Sequence, residues 1–387
     1  MEEHDGDDDS RVYRRRRRSL LKRLRQAVVS VLSRLSIFNS CRFWEDAPQD
    51  TFRRRTIMEA RVLVLGASDT GKSTFMKQMR YVFGDTYPIH DRRRHLPHIR
   101  RNLLESLHKM VRAMDSFGIA QASQEAREAA QRFSDMASLE QFLEEDATVD
   151  SLLVQQTQVL WADPGVKEVY MRGNEYHLLT NAGHFLSNAQ EILGDNYLPT
   201  MDDIFRMRYP TRGAMTITYD LGEMQMTLHD MGGQRSERKD WINQLNNPTA
   251  ILFLASLSEY DQTVEEETEG LEKNRVQESL DIFTELLRYP PFVNVPVIVL
   301  LNKSDIFREK ILYHSLKDYL PEYDGPEKNE RAGREFIASL YEKLASSHSC
   351  HFFSRFTEAT NTDNFITIFS YIKNHVSRIM IGQAGLY

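Results

Sequence analysis

The sequence predicts an α/β fold: a mostly parallel six-stranded sheet with helices on both faces, opened by an all-helical insertion. Three observations carry that expectation. An apolar strand, Ala60 to Leu65, runs into a Gly-containing turn and then a helical pattern. From about Thr86 to Asp202 the chain is rich in Leu, Glu, Gln and Ala and poor in β-branched runs. Beyond Asp202 strand and helix patterns alternate again, which is how a parallel sheet covered on both faces reads in sequence.

The elements follow in chain order. Residues 1–10 hold six acids and no Lys or Arg, and read as disordered; residues 11–25 hold nine bases and no acid. From Ser19 to Phe38 the apolar residues Leu20, Leu24, Ala27, Val28, Val31, Leu35 and Phe38 recur at steps of three or four. Lys22, Arg23, Arg25 and Arg34 fall mostly off that stripe, so a basic amphipathic helix is expected. The helical stretch breaks at Gly118, Asp163-Pro-Gly165 and Gly173. Later strands are expected at Met215–Tyr219, Gln225–Asp230, Ala250–Ser256, Val295–Asn302 and His351–Thr357. Later helices are expected near Gly270–Arg288, Arg331–Ser346 and Asn364–Ile381. The division is a basic arm over 1–57, an α/β domain from 58–85 and 203–387, and a helical insertion over 86–202.

Composition sets limits. The 387 residues carry a formal charge of −7, of which the first 25 hold +3 and the remainder −10. An acidic body argues against nucleic acid as a partner. Two cysteines, Cys41 and Cys350, exclude a disulfide framework and a cysteine-based zinc site. No apolar run approaches the roughly 18 residues of a membrane span. The acids that open the chain do not fit a secretory signal. A soluble intracellular protein is expected, in the cytoplasm or peripheral to a membrane.

Gly66-Ala-Ser-Asp69-Thr70-Gly71-Lys72-Ser73 fits the phosphate-loop pattern G-x-x-x-x-G-K-[ST]. Its glycines let consecutive backbone N–H groups point at an anion, and the following helix adds its positive end. Lys72 would reach the β- and γ-phosphates and Ser73 would ligand Mg²⁺. A plain turn is the competing reading, weakened by the placement between an apolar strand and a helix. Asp230-Met-Gly-Gly233-Gln234 closes a strand, where a carboxylate can hold Mg²⁺ through water and a glutamine can orient an attacking water. Taken alone it is also an ordinary strand-ending turn.

Asn302-Lys303-Ser304-Asp305 ends the apolar run from Val295. Its carboxylate suits guanine, accepting from the ring N1–H and the exocyclic amine, which adenine cannot supply. The alternative is a helix N-cap by Asp305. Thr357-Glu-Ala359-Thr360 would let the Ala359 N–H reach the guanine oxygen. In Arg206-Met-Arg208-Tyr-Pro-Thr211, Thr211 could ligand Mg²⁺ and Arg208 could neutralise a transferring phosphoryl group. Two ordinary exposed arginines are the bland reading.

Taken together these residues resemble the alpha subunits of heterotrimeric G proteins, from about Arg61 to Tyr387. The most specific stretches are Gly66–Thr74, Tyr197-Leu-Pro-Thr200, Asp230–Lys239 with Trp241, Asn302–Asp305, Tyr319-Leu-Pro-Glu-Tyr323 and Gly385-Leu-Tyr. A further mark is the 138 residues that separate Lys72 from Thr211. The resemblance implies a Ras-like P-loop GTPase domain with an inserted all-α domain, and GTP/GDP with Mg²⁺ as ligands. It places Asp69, Thr70, Gly71, Lys72, Ser73, Thr74, Asn181, Arg206, Thr211 and Gly233 around the phosphates and sugar. Asn302, Lys303, Asp305 and Ala359 would hold the base, and Ser73, Thr211 and Asp230 the metal. Arg208 resembles the built-in arginine finger and Gln234 the water-positioning glutamine. Gly232–Trp241 would meet a beta–gamma dimer in the GDP state, and Asn364–Tyr387 an activated seven-helix receptor.

Departures are informative. Ser68 replaces a usual Gly beside the γ-phosphate, which implies slow hydrolysis; a GTP-binding scaffold with strongly impaired catalysis is the alternative. An ATPase or kinase is disfavoured by Asn302–Asp305. Asp69 replaces Glu, Pro210 and Asp240 replace Lys, Glu358 replaces Cys, and Thr180-Asn181 replace Asp-Ser. Glu2 excludes N-myristoylation, which needs glycine. The basic helix would lie instead on an anionic membrane surface, against the readings of a nuclear-localisation-like cluster or a solvated arm. Sedimentation of the arm with and without anionic liposomes separates these.

Overall fold

The computed structural model describes residues 58–84, 87–135, 149–209, 213–222, 224–232, 247–264, 273–348 and 351–383. The basic arm, Pro210, Thr211, Gly233 to Trp241 with Gln234 and Asp240, Cys350 and Ala384 to Tyr387 lie outside the described residues.

Among the described residues, six strands form one sheet: β1 (Met58–Leu65), β2 (Ala214–Asp220), β3 (Met224–Met231), β4 (Ala250–Ser256), β5 (Val297–Asn302) and β6 (Phe352–Phe356). Their order is β2-β3-β1-β4-β5-β6, with only β2 antiparallel to its neighbour. The central strands are unbroken apolar runs because both of their faces are buried. Val62 and Val64 of β1 point to one face and Leu63 and Leu65 to the other. The same two-residue alternation divides Ile251, Phe253 and Ala255 from Leu252 and Leu254 on β4.

Helix α1 (Lys72–Phe83) follows β1, and its Phe75, Met76 and Met79 help cover one face. Next come α2 (Ile89–Arg94), α3 (Leu96–Phe117), α4 (Gln124–Asp135), α5 (Ser151–Ala162), α6 (Pro164–Met171), α7 (Ala182–Ser187), α8 (Ala189–Ile192) and α9 (Met201–Arg206). Helices α3 to α8 enclose a core of their own around Leu103, Leu107, Met110, Phe133, Leu160 and Phe185. The expected breaks fall at element ends. Gly118 closes α3 at φ 67, the left-handed conformation a Cβ would resist. Asp163 accepts from the Gly165 and Val166 N–H groups to cap α6, and Pro164 takes the first helical position.

The remaining helices are α10 (Arg275–Arg288), α11 (Ser304–Lys310), α12 (Leu316–Tyr319), α13 (Glu330–Ser347) and α14 (Thr362–Gln383). Phe283 of α10 and Tyr341 of α13 pack on one sheet face; Phe365 and Phe369 of α14 join α1 on the other. Helix α10 starts at Arg275, later than periodicity predicts, because Asn274 is extended and its side chain caps Val276 and Gln277. Helix α14 starts two residues earlier than expected. Among the described residues no helix is long and apolar enough to cross a membrane.

The boundary expected between residues 202 and 203 falls inside α9. The Tyr197-Leu-Pro-Thr200 stretch explains why a helix starts there. Thr200 Oγ1 accepts from the Asp203 N–H, and the Asp203 carboxylate accepts from the Thr200 N–H, the Thr200 hydroxyl and the Tyr197 hydroxyl. His184 Nε2 lies 2.9 Å from the other carboxylate oxygen. Burial opposes the charge on Asp203, but these partners override it and hold its pKa at about 2. A depressed carboxylate stabilises the fold above its unfolded pKa near 3.8 and loses that contribution as pH falls toward 2. Asp203→Asn should therefore cost ~2 kcal/mol in denaturant unfolding at neutral pH. The gap between the two proteins should close in acid; a gap independent of pH would contradict the assignment.

Candidate functional site

Because β1, β3, β4, β5 and β6 run parallel, the turns that follow them all emerge at one end of the sheet. The phosphate-loop sequence follows β1, Asp230 lies next to last on β3, Asn302 ends β5, and Thr357 follows β6. Topology thus gathers motifs that lie up to about three hundred residues apart in sequence.

The loop after β1 needs its glycines. Gly66 sits at φ 144, where an added Cβ would meet Leu254 O at 2.2 Å. Gly71 sits at φ 100, where a Cβ would meet Asn302 Nδ2 at the same distance. Lys72 bends back over the loop and donates to Gly66 O at 2.9 Å and Ala67 O at 2.7 Å. Asn302 joins the loop to the base-side turns, donating to Thr70 O at 2.9 Å and accepting the Ala359 N–H at 3.0 Å. Gln78, fully buried on α1, donates to Ala359 O.

Among the described residues, twenty line one cleft of about 1140 Å³, measured out to its open mouth. They include Asp69, Gly71, Lys72, Ser73, Thr74, Asn181, Arg206, Arg208, Asn302, Lys303, Asp305 and Ala359, together with Ser68 and Thr180. Among the described residues, two expected ones stand apart. Thr70 is buried, with its hydroxyl on Ala67 O. Asp230 is enclosed on β3, in register with Val64 just before the loop. Others enter the cleft with side chains already engaged. The Thr74 hydroxyl donates to Phe205 O at 2.9 Å, so its backbone N–H is what it can offer a phosphate. Arg206 pairs with Asp202 at 2.9 Å. Asp305 is no N-cap: Lys303, at φ 59, holds that position, and Asp305 lies in the first turn of α11.

A chain of charges runs along the cleft wall. Lys303 Nζ lies 3.0 Å from Glu259 and 3.5 Å from Asp69. Arg275 reaches Glu259 at 2.9 Å and donates to Ser68 O at 2.9 Å. Burial opposes ionisation of Asp69, yet Lys303, Arg208 and Arg275 together hold its pKa at about 2. Lys303 is raised above its ordinary value for the reciprocal reason: Asp69 and Glu259 outweigh its burial. Arg208 rests loosely, its Nε 3.9 Å from Asp69 and its side chain 44% exposed. Glu358 turns toward Ser304 and Arg308, each at 3.3 Å.

Sequence reasoning missed Glu259, Arg275, Gln78 and Asn102, which hold the site from outside it. Only Asn102 left a local signal: a polar residue on the apolar face of α3, between Ile99 and Leu103 and itself 4% exposed.

A parallel sheet with a phosphate loop, an Asn-Lys-x-Asp turn beside it and an arginine just past a helical insertion defines a class, the P-loop GTPases that carry an inserted helical domain. The chain matches the family model for the G-protein alpha subunit over residues 45–376. It belongs to that family, whose members bind GTP and GDP, hydrolyse GTP and act in signal transduction.

Proposed function

We propose that this chain is a slow GTP/GDP switch that relays signals from seven-helix receptors. Arg208 and Gln234 carry hydrolysis; Lys72 and the N–H groups from Asp69 to Thr74 hold the phosphates; Asn302, Lys303, Asp305 and Ala359 read guanine. The observation that carries the reading is the single cleft into which loop, base turn and arginine all open.

The residues present fit the nucleotide. Glycines at 66 and 71 keep the loop backbone bare, and Lys72 can trade its two carbonyl partners for phosphate oxygens. Asn181 Oδ1 is buried without a hydrogen-bond partner among the described residues, an acceptor that a sugar hydroxyl would satisfy. Ala359 must share or exchange its bond to Asn302 to reach the base. Ser73, Thr211 and Asp230 are oxygen donors of the kind Mg²⁺ takes. Held there, Mg²⁺ would supply positive charge to offset that of the phosphates.

Ser68 sets the rate. It lines the cleft beside Asp69, where a transferring phosphoryl group and Arg208 need room. Displacing either by about 1 Å can cost ~10²-fold. Ser68→Gly should therefore speed single-turnover hydrolysis roughly 10-fold or more; equal rates would contradict the assignment. A chain in which neither protein hydrolyses GTP measurably would be the scaffold. Gly232–Trp241 supports binding of a beta–gamma dimer, the C-terminal helix supports receptor docking, and the basic arm supports an anionic membrane surface.

A further inference from the structure

A helix end leaves four backbone carbonyls without helical partners, usually satisfied by water. The end of α9 and the turn after it are held otherwise. Lys77 Nζ donates to Ile204 O and Met207 O, each at 2.8 Å, and the Thr74 hydroxyl takes Phe205 O. Asn181 Nδ2 donates to Arg206 O at 2.9 Å. Asn102 does more than fill one position. Its Nδ2 donates to Arg208 O at 3.0 Å while its Oδ1 accepts the Arg208 N–H at 2.7 Å. One buried side chain therefore grips both backbone polar groups of Arg208. Asn181 in turn donates to Asn102 Oδ1 at 3.0 Å, fixing the orientation of the amide.

We infer that Asn102 is the positioning residue for Arg208 in GTP hydrolysis, reaching it from α3 in the helical insertion. This rests on the reading of Arg208 as the arginine that meets the transferring phosphoryl group. The guanidinium is long, half-exposed and only loosely held by Asp69 at 3.9 Å, so its reach is set by where its backbone is held. Freeing that backbone lets the guanidinium drift from the reacting group, a loss of geometry rather than of binding.

The test is a double-mutant cycle on the full chain, with single-turnover GTP hydrolysis, displacement of a fluorescent guanine nucleotide and thermal melting read for each protein. Asn102→Ala should slow hydrolysis roughly 10- to 100-fold. GTP affinity should stay within about threefold of the unaltered chain, because the Asn102 amide is placed on Arg208 and not on the nucleotide, and Asn181 keeps its bond to Arg206 O when Asn102 is lost. Added to Arg208→Ala, the same change should slow hydrolysis no further. Should Asn102→Ala fail to fold, Asn102→Asp carries the same cycle, keeping an acceptor for the Arg208 N–H while replacing the donor to Arg208 O with a charged oxygen.

Equal slowing in both backgrounds, or none in the unaltered one, would overturn the positioning role while Arg208 keeps its own. If Arg208→Ala leaves the rate unchanged, the catalytic reading of Arg208 falls and the inference falls with it. The same holds if neither the unaltered chain nor Ser68→Gly hydrolyses GTP.

Discussion

Asp305→Asn should abolish the preference for guanine over adenine nucleotides. On the proposed reading, the carboxylate would accept two hydrogen bonds from guanine, from the ring N1–H and the exocyclic amine. Charge-assisted bonds contribute about 1.5–3 kcal/mol each, so losing one, facing the amine with a second donor and leaving the remaining bond without its charge costs about 4 kcal/mol, or roughly 10³-fold in GTP affinity. Asparagine turns one acceptor into a donor and should favour xanthine, which carries a carbonyl in place of that amine. Lys303, not Asp305, holds the cap position of α11, and Asp305 lies in its first turn and lines the cleft. Displacement of a fluorescent guanine nucleotide by GTP, ATP and XTP measures the effect. Unchanged selectivity would mean that Asp305 supports the helix and nothing more.

Arg208→Ala should slow GTP hydrolysis on the order of 10³-fold while leaving GTP affinity close to that of the unaltered chain. Charge that builds on the transferring phosphoryl group exists only in the transition state, so a group that meets it changes rate more than binding. In the structure Arg208 leans on Asp69 and belongs to the same cleft as Lys72 and Ser73. Asp69 stays ionised at any physiological pH, held at about 2 by its cationic neighbours, so it is a standing counter-ion for the arginine at rest. Single-turnover phosphate release tests this. A parallel loss of affinity and rate would make Arg208 a binding residue.

Much of this was legible in the sequence, for identifiable reasons. The strands of the central sheet read as continuous apolar runs because both faces are covered, and β4 falls at the expected Ala250–Ser256. The phosphate loop was legible because its spacing is dictated by where a backbone can lack a Cβ, at Gly66 and Gly71. Asn302 and Asp305 were legible as a local run, although nothing local shows that the Asn302 amide clamps Thr70 and Ala359 rather than facing the base alone. The support around the site was not legible. Glu259 meets Lys303 across 44 residues and Arg275 meets Ser68 across 207. Asn102 grips Arg208 across 106. Such pairs are created by topology, and a single sequence holds no record of them. Thr211 and Gln234, legible by motif, lie outside the described residues, so their roles rest on chemistry.

The central claim is that the cleft selects a guanine nucleotide and hydrolyses it. The most direct measurement is competition at the purified full-length chain with Mg²⁺ present, followed by release of the γ-phosphate from the nucleotide that wins. GTP and GDP should displace a bound fluorescent guanine nucleotide while ATP does not, and phosphate should then appear slowly, in a single turnover. Displacement by ATP as readily as by GTP, or no nucleotide binding at all, would contradict it.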